Sequence, residues 1–567
     1  MNVKKKIVVI VFSIMLLVIA TCTFALIVNE NHSGNAKITL SDDKVSIRGE
    51  GVYTKKSNII INRAGIYSFS GKLSEGHIIV DVKSGNVVIN FDNVSLLAKK
   101  ESLIQLKSAH RVTLNVKKNT INSLTLGNNK NVNEKLQSQA QKEKSEIDVF
   151  YKKNELAQQG SEKASVTKTS NDKTDEQDKK TSKSNKETVE EIMKCNTDRT
   201  VIASEVPFEI NGIGDLFINS YNGCSIVSKG DLLFDNANIT IVSTDNAIIS
   251  NKNIDINGGM YNITSGNSGV LSGGYINSSN ARIDVKTGIL VKKVFEEVYQ
   301  GNNQDVLNKY KSSRVNKNYW SGLYSEKGIS FEKSDLKFNT YGNSIYAKSD
   351  IALTENSLKI NTSNDAIISK SDLKTVKNNI VIENAKNALN ADVIVLNDKE
   401  LTINCTNNAM SSQSDEDDIR LENSKINIKT NNTTFVTQKA VIMKNSDVRL
   451  ESTKESENSI FKNVQTDGGL VVEGGSFIAF LKNVNNQIWN KENETNFSVI
   501  ELPEEIKTET DYEVVSPSGQ KICKGKLPVG TQKIVFASNK IQDKMKLCYL
   551  DKVIECSLTV GEGQDKD

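Results

Sequence analysis

The residues of this chain best suited to chemistry are Asn and Asp side chains that recur in short, similar phrases. The stretches "TDNAIISNKN" at 244–253, "YGNSIYAKSD" at 341–350 and "SNDAIISKSD" at 363–372 each place Asn or Asp before a small residue and then Ile. Carboxylate and amide oxygens are the ligands that Ca²⁺ prefers, and paired carboxylates can act as general acid and base. Asn also tolerates left-handed turn geometry and can form amide ladders, so the phrase is first of all a structural device.

The sequence contains few residues suited to other kinds of functional site. The 3 histidines all lie near the N-terminus, which leaves no clustered imidazoles for the main body of the chain. The 7 cysteines form no CxxC pair, so a zinc site is not expected. Cys224 and Cys405 fall in strand-like runs and are predicted to be buried thiols. One disulfide between two of Cys523, Cys548 and Cys556 is an alternative that the sequence does not decide. The 72 basic and 69 acidic residues nearly cancel, which argues against nucleic acid as a partner.

The small residue in each phrase recurs with a fixed period. The steps between successive small residues are 24, 22, 53, 22, 22, 22 and 21 residues, for Gly223, Ala247, Gly269, Gly322, Ser344, Ala366, Ala388 and Ala409. Between them lie short alternating stretches such as "DLLFDNANITIVS" and "ELTINCTNN", which are typical of strands and turns. A repeat of about 22 residues with this texture predicts an all-β fold, a right-handed parallel β-helix with about three short strands per coil.

Composition divides the chain into regions. Residues 37–126 and 200–497 are predicted to form β-helix coils. Residues 127–199, rich in Lys, Glu, Gln and Ser, cannot bury a core and are predicted to be a disordered insertion. The 53-residue step reflects a second insertion, 291–320, which contains helix-compatible sequence and can lie against the side of the solenoid. Residues 498–560 are predicted to be a small antiparallel β-domain that shields the last coil.

The N-terminal residues 1–28 are predicted to be a signal or membrane anchor. Three lysines precede an uncharged, mostly apolar run from Ile7 to Val28. A helix of that length reaches about 33 Å, enough to cross a bilayer, and basic residues before it keep that end inside. A cleaved signal peptide ending at Ala25 is the alternative. Both interpretations place the bulk of the protein outside the cytoplasm, on the cell membrane or secreted.

Several phrases of the chain resemble the exported bacterial family of carbohydrate-binding domain-containing proteins. They are "INRAGIYSFSGKLSEGHIIVDV", "VVINFDNVSL", "FEINGIGDLFINSYNGCSIVSKGDLLF" and "STDNAIISNKNIDINGG". The resemblance implies a pectate-lyase-like β-helix that binds polysaccharides such as polygalacturonate and cellulose, with bound calcium. The calcium positions that it implies include Asp245, Asn246, Asn364 and Asp365. Where relatives stack acids this chain often has Asn, which keeps the shape and loses the charge, and where they often have His it has Ile249 and Ile368.

The sequence contains no motif that matches the catalytic sites of enzymes with this fold. Polygalacturonases with this fold use three Asp residues with Gly-His-Gly and Arg-x-Lys motifs, and neither motif occurs in this chain. Asp415, Asp417 and Asp418 can hold a cation or form a solvated turn. A polysaccharide lyase or hydrolase is therefore the less favoured alternative to a protein without catalytic residues.

Sugar binding usually relies on exposed aromatic rings with polar neighbours. The candidates for carbohydrate contact are Tyr319, Trp320, Tyr324 and Tyr346, with Tyr341 close by. The competing interpretation is that these rings pin the second insertion to the solenoid. The predicted function is extracellular, non-catalytic binding of a polysaccharide or cell-wall glycan, assisted by Ca²⁺. A surface scaffold or adhesin without a sugar ligand is the alternative from a different class.

Overall fold

The computed structural model describes residues 33–127, 195, 199–221, 223–288, 321–452, 464–466, 468–482, 497–540 and 544–557. Over these ranges the chain forms β-strands, numbered β1 to β49 in chain order, and no α-helix. The strands form because Ile, Val, Leu and Thr alternate with polar residues at a period of two, between turns of Asn, Gly and Asp. The predicted all-β class is confirmed.

The N-terminal region contains ten strands. They are β1 (Gly34–Leu40), β2 (Ser46–Glu50), β3 (Val52–Lys55), β4 (Asn58–Ile61), β5 (Gly65–Ser74), β6 (His77–Asp81), β7 (Asn86–Ala98), β8 (Ile104–Ser108), β9 (Arg111–Val116) and β10 (Ile121–Leu126). Strands β1 and β2 form an antiparallel hairpin, whereas β1, β5 and β7 pair in parallel. The long strand β7 pairs with both β9 and β10 and so begins two faces of the solenoid.

The first main block of coils has three strands per coil. Its strands are β11 (Ile202–Ser204), β12 (Phe208–Asn211), β13 (Asp215–Ser220), β14 (Ile226–Ser228), β15 (Leu232–Asp235), β16 (Asn238–Ser243), β17 (Ile248–Ser250), β18 (Ile254–Asn257), β19 (Met260–Ser265), β20 (Val270–Ser272), β21 (Ile276–Ser279) and β22 (Arg282–Thr287). We call the strands of a coil first, second and third, and the turns that follow them the first, second and third turns.

The second block continues the same pattern. Its strands are β23 (Ser321–Ser325), β24 (Ile329–Glu332), β25 (Asp335–Thr340), β26 (Asn343–Ala347), β27 (Ile351–Thr354), β28 (Ser357–Thr362), β29 (Ile367–Ser369), β30 (Asp372–Val376), β31 (Asn379–Asn384), β32 (Leu389–Ala391), β33 (Val393–Asn397), β34 (Glu400–Cys405), β35 (Met410–Ser412), β36 (Ile419–Glu422), β37 (Lys425–Thr430), β38 (Phe435–Thr437), β39 (Val441–Lys444), β40 (Ser446–Ser452), β41 (Val464–Thr466), β42 (Leu470–Val472) and β43 (Gly475–Leu481).

Equivalent strands of successive coils pair in parallel, so the predicted parallel β-helix is confirmed. The first strands join β3, β4, β6 and β8 in a 15-stranded sheet, which we call the short-strand sheet. Pairing across the gap between the two blocks is unbroken, with Leu271 opposite Tyr324. One hydrophobic core runs the length of the solenoid and includes buried rings such as Phe234, Phe338 and Phe435.

A separate sheet follows the last coil. The part of the chain after the last coil contains the strands β44 (Phe497–Glu501), β45 (Thr510–Val515), β46 (Lys521–Leu527), β47 (Lys533–Ser538), β48 (Lys544–Tyr549) and β49 (Lys552–Ser557). Strand β47 pairs antiparallel with β43 of the last coil and covers its edge. Strands β45, β46, β48 and β49 form a 4-stranded sheet, joined antiparallel throughout, with a hydrophobic cluster of its own. The small antiparallel sheet predicted at the C-terminus is thus present.

The periodic small residues point into the core, with one correction. Ala247, Ala366, Ala388 and Ala409 are buried, each directly before the first strand of its coil. In the first main block, however, Ile226 pairs with Ile248, so the residue equivalent to Ala247 is Ser225. The assignment of Gly223 to this column was wrong because Ser225 is the residue of the phrase "YNGCS" that directly precedes its strand. Five residues separate the strands there, against four in "TDNA".

Two predictions about cysteine are settled by the geometry. Cys224 is not a free thiol, because it forms a disulfide with Cys195, 29 residues earlier in the chain. This bond could not be predicted from the sequence, because Cys195 lies within the polar region 127–199 and its separation from Cys224 does not match the coil period. Cys405 is a buried free thiol as predicted. Cys523, Cys548 and Cys556 are free as well, so none of them forms the disulfide left open above.

Several predictions concern residues outside the described ranges. The N-terminal segment 1–28, the insertion 291–320 and most of the insertion 127–199 lie there. The described ranges hold no helix with the length and apolar character that a membrane crossing requires.

The second turns hold a buried ladder of polar side chains. Several of these turns use a residue with positive φ, such as Glu355 or Lys377, and the next residue points inward. The backbone N–H of each inward residue donates to a side-chain oxygen one coil further on. The bonds run Ser334 to Asn356 (2.9 Å), Asn356 to Asn378 (2.7 Å), Asn378 to Asp398 (2.9 Å), Asp398 to Ser424 (2.8 Å) and Ser424 to Ser446 (3.1 Å).

Asp398 is the acidic member of this ladder and should make stability depend on pH. Burial raises the pKa of Asp398, while hydrogen bonds from Thr375 and Asn378 oppose that rise. A carboxyl group whose folded pKa is raised binds its proton more tightly in the folded state. Its contribution to stability is present below the unfolded pKa and is lost as pH rises through the folded pKa.

We therefore expect Asp398→Asn, which has nearly the same shape and does not titrate, to differ from the parent in its pH profile. Urea unfolding at several pH values from 4 to 7 should show the parent losing stability relative to the variant as pH rises. Parallel profiles for the two proteins would contradict the assigned burial of the charge.

Candidate functional site

The outer face of the short-strand sheet carries one residue per coil in a straight row. In each first strand the flanking residues enter the core, and the residue between them faces away from it. We call these residues the outer row. Pairing of adjacent strands places its members in register, in the order Val227, Ile249, Leu271, Tyr324, Tyr346, Ile368, Asn390, Ser411 and Val436. Both positions where relatives often have His, Ile249 and Ile368, belong to this row.

The outer row changes character along the solenoid. Val227, Ile249, Leu271 and Tyr324 form a buried hydrophobic cluster, separate from the main core, with Cys224. Tyr346 is only partly buried, and Asn390 and Ser411 further on are polar and partly exposed. Along this face Tyr346 is therefore a partly exposed aromatic residue, followed by the buried Ile368 and then by the polar Asn390 and Ser411.

Tyr324 and Tyr346 form a stacked pair at the centre of the row. Their ring centroids are 5.3 Å apart and their planes are 9° from parallel. The pairing follows from the period, because the two residues are 22 positions apart and occupy the same place in successive coils. Tyr324 is only 2% exposed, so the expectation that it offers an open ring to a sugar is wrong. Its ring instead supports Tyr346 from one side.

Charged groups lie beside the stacked rings. The Tyr324 hydroxyl donates to the Glu326 carboxylate, whose other oxygen accepts a hydrogen bond of 2.9 Å from Lys348 Nζ. Glu326 and Lys348 each stand two positions after their tyrosine. Sequence analysis missed this pair, although the matching phrases "YSEK" and "YAKS" one period apart were a usable signal.

The third turns border the row with a ladder of amide side chains. Asn343 Oδ1 accepts from Asn364 Nδ2 at 2.7 Å. Asp365 Oδ1 accepts both the backbone N–H (3.2 Å) and the Nδ2–H (2.7 Å) of Asn387. The ladder continues from Asn387 to Asn407 (2.8 Å) and on to Asn432 (2.5 Å). The amide ladder expected from the repeated phrase therefore exists, and it occupies predicted metal positions.

The four predicted calcium ligands do not fit one calcium site. Asp245 and Asn246 lie four coils before Asn364 and Asp365, a separation of about 19 Å at the usual spacing between strands. Ca²⁺ takes six to eight oxygen ligands. Asp365 Oδ1 instead receives two N–H donors from Asn387. Calcium binding by this chain stays a prediction.

Asp245 sits in a distinct environment next to the disulfide. Its Oδ1 accepts hydrogen bonds from Asn267 Nδ2 (2.5 Å) and from the Asn246 backbone N–H (2.9 Å). Burial raises the pKa of Asp245, and these hydrogen bonds oppose that rise. Its carboxylate and the sulfurs of Cys195 and Cys224 lie within 4.8 Å of one another. Because the two sulfurs are bonded to each other, they do not act as thiolate ligands.

The remaining predicted aromatic residues do not join this arrangement in the described part of the chain. Tyr319 and Trp320 lie outside the described residues. Tyr341 lies in a third turn, where its side chain covers the backbone of Gly288. Asp418, from the acidic stretch considered above, accepts a hydrogen bond of 3.0 Å from the Ala440 backbone N–H in the next coil. Among the described candidates, Tyr346 thus has a partly exposed ring on the outer row, whereas Tyr341, 39% exposed, lies outside that row.

Comparison with known proteins gives the family. The family model described as carbohydrate-binding domain-containing protein matches residues 55–181, 157–302 and 324–479, more than half of the chain. A carbohydrate-binding domain-containing protein from Acetivibrio thermocellus is 33% identical over 93 residues, which are 16% of this chain and 32% of that protein. The chain thus spans about a third of the length of that relative.

A solved structure also shows a weak likeness. It is titled "Structure of the polysaccharide lyase-like protein from C. thermocellum, Gadolinium derivative", and the match covers 62% of this chain and 98% of that one. The sequence identity is 18% and the TM-score 0.34, and a likeness at this level indicates nothing about function. The family assignment instead follows from the matched residues: this chain belongs to the family of carbohydrate-binding domain-containing proteins.

Proposed function

We propose that this protein binds a polysaccharide on the outer face of its short-strand sheet and does not cleave it. The observation that carries the proposal is the stacked pair Tyr324–Tyr346, with one ring buried as support and the other partly exposed beside Glu326 and Lys348. Family membership supports a carbohydrate ligand for this face.

The chemistry around Tyr346 suits a sugar ring. An aromatic face packs against apolar C–H groups, while neighbouring polar side chains bond to hydroxyl groups. Tyr346 provides the aromatic face, and Lys348 provides N–H donors next to it. Because Tyr324 is stacked behind Tyr346, the exposed ring is held in place before a ligand arrives, which lowers the entropic cost of binding.

The direction of the row suits a polymer rather than a single sugar. Coils repeat about every 4.8 Å along the solenoid axis, so a glycan chain lying along the axis meets a new outer-row residue at each coil. Beyond Tyr346 these residues include Asn390 and Ser411, with the amide ladder at their side. Such a surface offers repeated weak contacts, and binding through it is expected to strengthen with glycan length.

The proposal of a non-catalytic site rests on the state of the charged groups at the row. Glycoside hydrolysis by the usual route needs two carboxyl groups placed on either side of the scissile bond. Beside Tyr346 the carboxylate is that of Glu326, and it is already engaged by Lys348 and by the Tyr324 hydroxyl. The sequence also lacks the polygalacturonase motifs noted above.

Two finer parts of the function remain predictions. We propose an exported protein, with residues 1–28 either holding it at the membrane or being removed. We also propose that calcium has at most a small effect on binding, smaller than in relatives with full acidic ladders, since Asn246, Asn364 and Asn387 are neutral. A surface scaffold without a sugar ligand is the second candidate, favoured by the hydrogen bonds that link the amide side chains of the ladder to one another.

We expect Tyr346→Ala to weaken glycan binding about tenfold, the equivalent of about 1.4 kcal/mol, because it removes the exposed ring. Titration calorimetry with the full chain against polygalacturonate, soluble cellulose oligosaccharides and wall glycans, with calcium and with chelator, measures this loss.

Tyr346→Phe is the matched control, since it keeps the stack on Tyr324 and loses only the hydroxyl group. It should bind like the parent. Equal binding by the parent and Tyr346→Ala would place the glycan elsewhere, and no heat with any glycan would favour the scaffold.

A further inference from the structure

Two sulfur atoms and a carboxylate meet beside the first main block of coils. Cys224 lies in the third turn before β14, and Asp245 lies in the third turn of the next coil. The sulfurs of Cys195 and Cys224 and a carboxylate oxygen of Asp245 all lie within 4.8 Å of one another. Among the residues that the structure describes, these three are the group of His, Cys, Asp or Glu side chains placed closely enough to hold one metal ion.

The Asp245 carboxylate is held in place, but no cation compensates its charge in the described part of the chain. Its Oδ1 accepts from Asn267 Nδ2 (2.5 Å) and from the Asn246 N–H (2.9 Å), whereas Oδ2 accepts no hydrogen bond from any described residue. No described Lys, Arg or His lies within ion-pair distance of this carboxylate. Burial raises the pKa of Asp245, so a cation next to it would offset the cost of burying the charge.

The two sulfurs are placed so that they can share a metal ion once they are no longer bonded to each other. Cys224 is fully buried in the hydrophobic cluster on the outer face, and Cys195 packs against the same cluster. Their Cα atoms are 6.5 Å apart. In a tetrahedral zinc site with Zn–S bonds of about 2.3 Å, two sulfurs lie about 3.8 Å apart. Rotation of the two side chains can supply that separation at this Cα distance.

We propose that Cys195, Cys224 and Asp245 bind one Zn²⁺ when the disulfide is reduced. A dithiol reductant breaks the S–S bond by giving two electrons and two protons, which leaves two cysteine thiols and an oxidised reductant with a disulfide of its own. Zn²⁺ then displaces one proton from each thiol and forms two Zn–S bonds and one Zn–O bond to Asp245, and water completes the tetrahedron.

The ligand set selects the class of metal. Two thiolates favour zinc over calcium, which binds through oxygen atoms alone, so this site is distinct from the calcium positions predicted above. Cys195 is thereby attached to the solenoid in both redox states, by the disulfide or through the metal. The absence of a CxxC pair argued against zinc in the sequence, because the two cysteines are 29 residues apart and the third ligand lies in another coil.

The test measures zinc binding by the full chain in both redox states. One sample is reduced with a dithiol without oxygen, the reductant is removed, and Zn²⁺ uptake is measured by competition with a chromogenic chelator. The reduced chain should bind one Zn²⁺ more than the disulfide form. Cys195→Ser should lose this ion, and Asp245→Asn, which keeps the shape without the charge, should bind it at least about tenfold more weakly.

Two matched variants serve as controls and should bind zinc like the parent. Asp231→Asn removes a carboxylate that likewise accepts a backbone hydrogen bond from the next coil, from the Asn253 N–H at 3.1 Å, but is not grouped with the sulfurs. Cys405→Ser removes a buried free thiol elsewhere in the solenoid. Circular dichroism of each reduced sample checks that the β structure is retained.

A second measurement uses the unmodified chain and so does not depend on the folding of any variant. Reduced protein is alkylated with and without Zn²⁺, and the modified cysteines are identified by mass spectrometry. Zinc should slow the modification of Cys195 and Cys224 at least about tenfold and leave that of Cys548, a partly buried free thiol, unchanged.

Three outcomes would overturn the proposal. The first is equal zinc uptake by the reduced and disulfide forms, and the second is alkylation of Cys195 and Cys224 at the same rate with and without zinc. The third is unchanged zinc affinity in Asp245→Asn, which would remove the carboxylate from the site. None of these measurements involves a glycan, so the result does not depend on the proposed polysaccharide binding.

Discussion

Replacing Asn378 by alanine is expected to lower the free energy of unfolding by about 1–3 kcal/mol. Asn378 is fully buried in the second-turn ladder. Its Nδ2 donates to the Leu353 carbonyl oxygen (2.9 Å) and to Asp398 Oδ1 (2.8 Å), and its Oδ1 accepts from the Asn356 backbone N–H (2.7 Å). The variant leaves those groups unsatisfied in the core and removes a donor from a buried carboxylate, and both changes are costly.

Urea unfolding followed by far-ultraviolet circular dichroism measures this loss. The matched control is Asn361→Ala, which removes the same side chain from an exposed position on β28 and should change stability by less than about 0.5 kcal/mol. A loss below 1 kcal/mol for Asn378→Ala, similar to that of the control, would mean that the ladder does not contribute to stability as described.

The second large effect is expected for Ala366→Leu, which should cost about 1–3 kcal/mol of stability. Ala366 is completely buried at the start of a first strand, and the equivalent residues of the adjacent coils, Ser344 and Ala388, are buried as well. A leucine has no room there without moving a neighbouring coil.

The same urea titration checks this prediction. Ser363→Leu adds the same side chain at an exposed position three residues earlier and should leave the unfolding midpoint near that of the parent. If Ala366→Leu unfolds like the parent, the inward position of the small-residue column is wrong.

The fold could be predicted from the sequence because successive coils of a solenoid repeat the same pattern of strands and turns. Each coil has the same strand-and-turn phrase, so a period of about 22 residues predicted that Ala366 and Ala388 occupy equivalent inward positions in successive coils. The period holds at β14 as well, because Ser225 lies 22 residues before Ala247, and the step of 24 resulted from taking Gly223 as the small residue of its phrase.

The candidate site could be predicted only in part. The sequence indicated Tyr324 and Tyr346 as candidate sugar contacts, yet it could not show that Tyr324 is buried behind Tyr346, because burial depends on what covers each coil. The pairing of Cys195 with Cys224 connects residues at non-periodic positions, and nothing in the polar sequence around Cys195 indicates a fixed structure.

The most direct test of the central claim is a binding measurement combined with analysis of the glycan that is recovered. The full chain is titrated with polygalacturonate, cellulose oligosaccharides and wall glycans in a calorimeter. Each mixture is then assayed for new reducing ends and for unsaturated products that absorb ultraviolet light. The account predicts saturable binding of at least one polysaccharide, stronger for longer chains, with the glycan recovered intact. Absence of binding to every glycan, or shortened or unsaturated products at enzymatic rates, would contradict it.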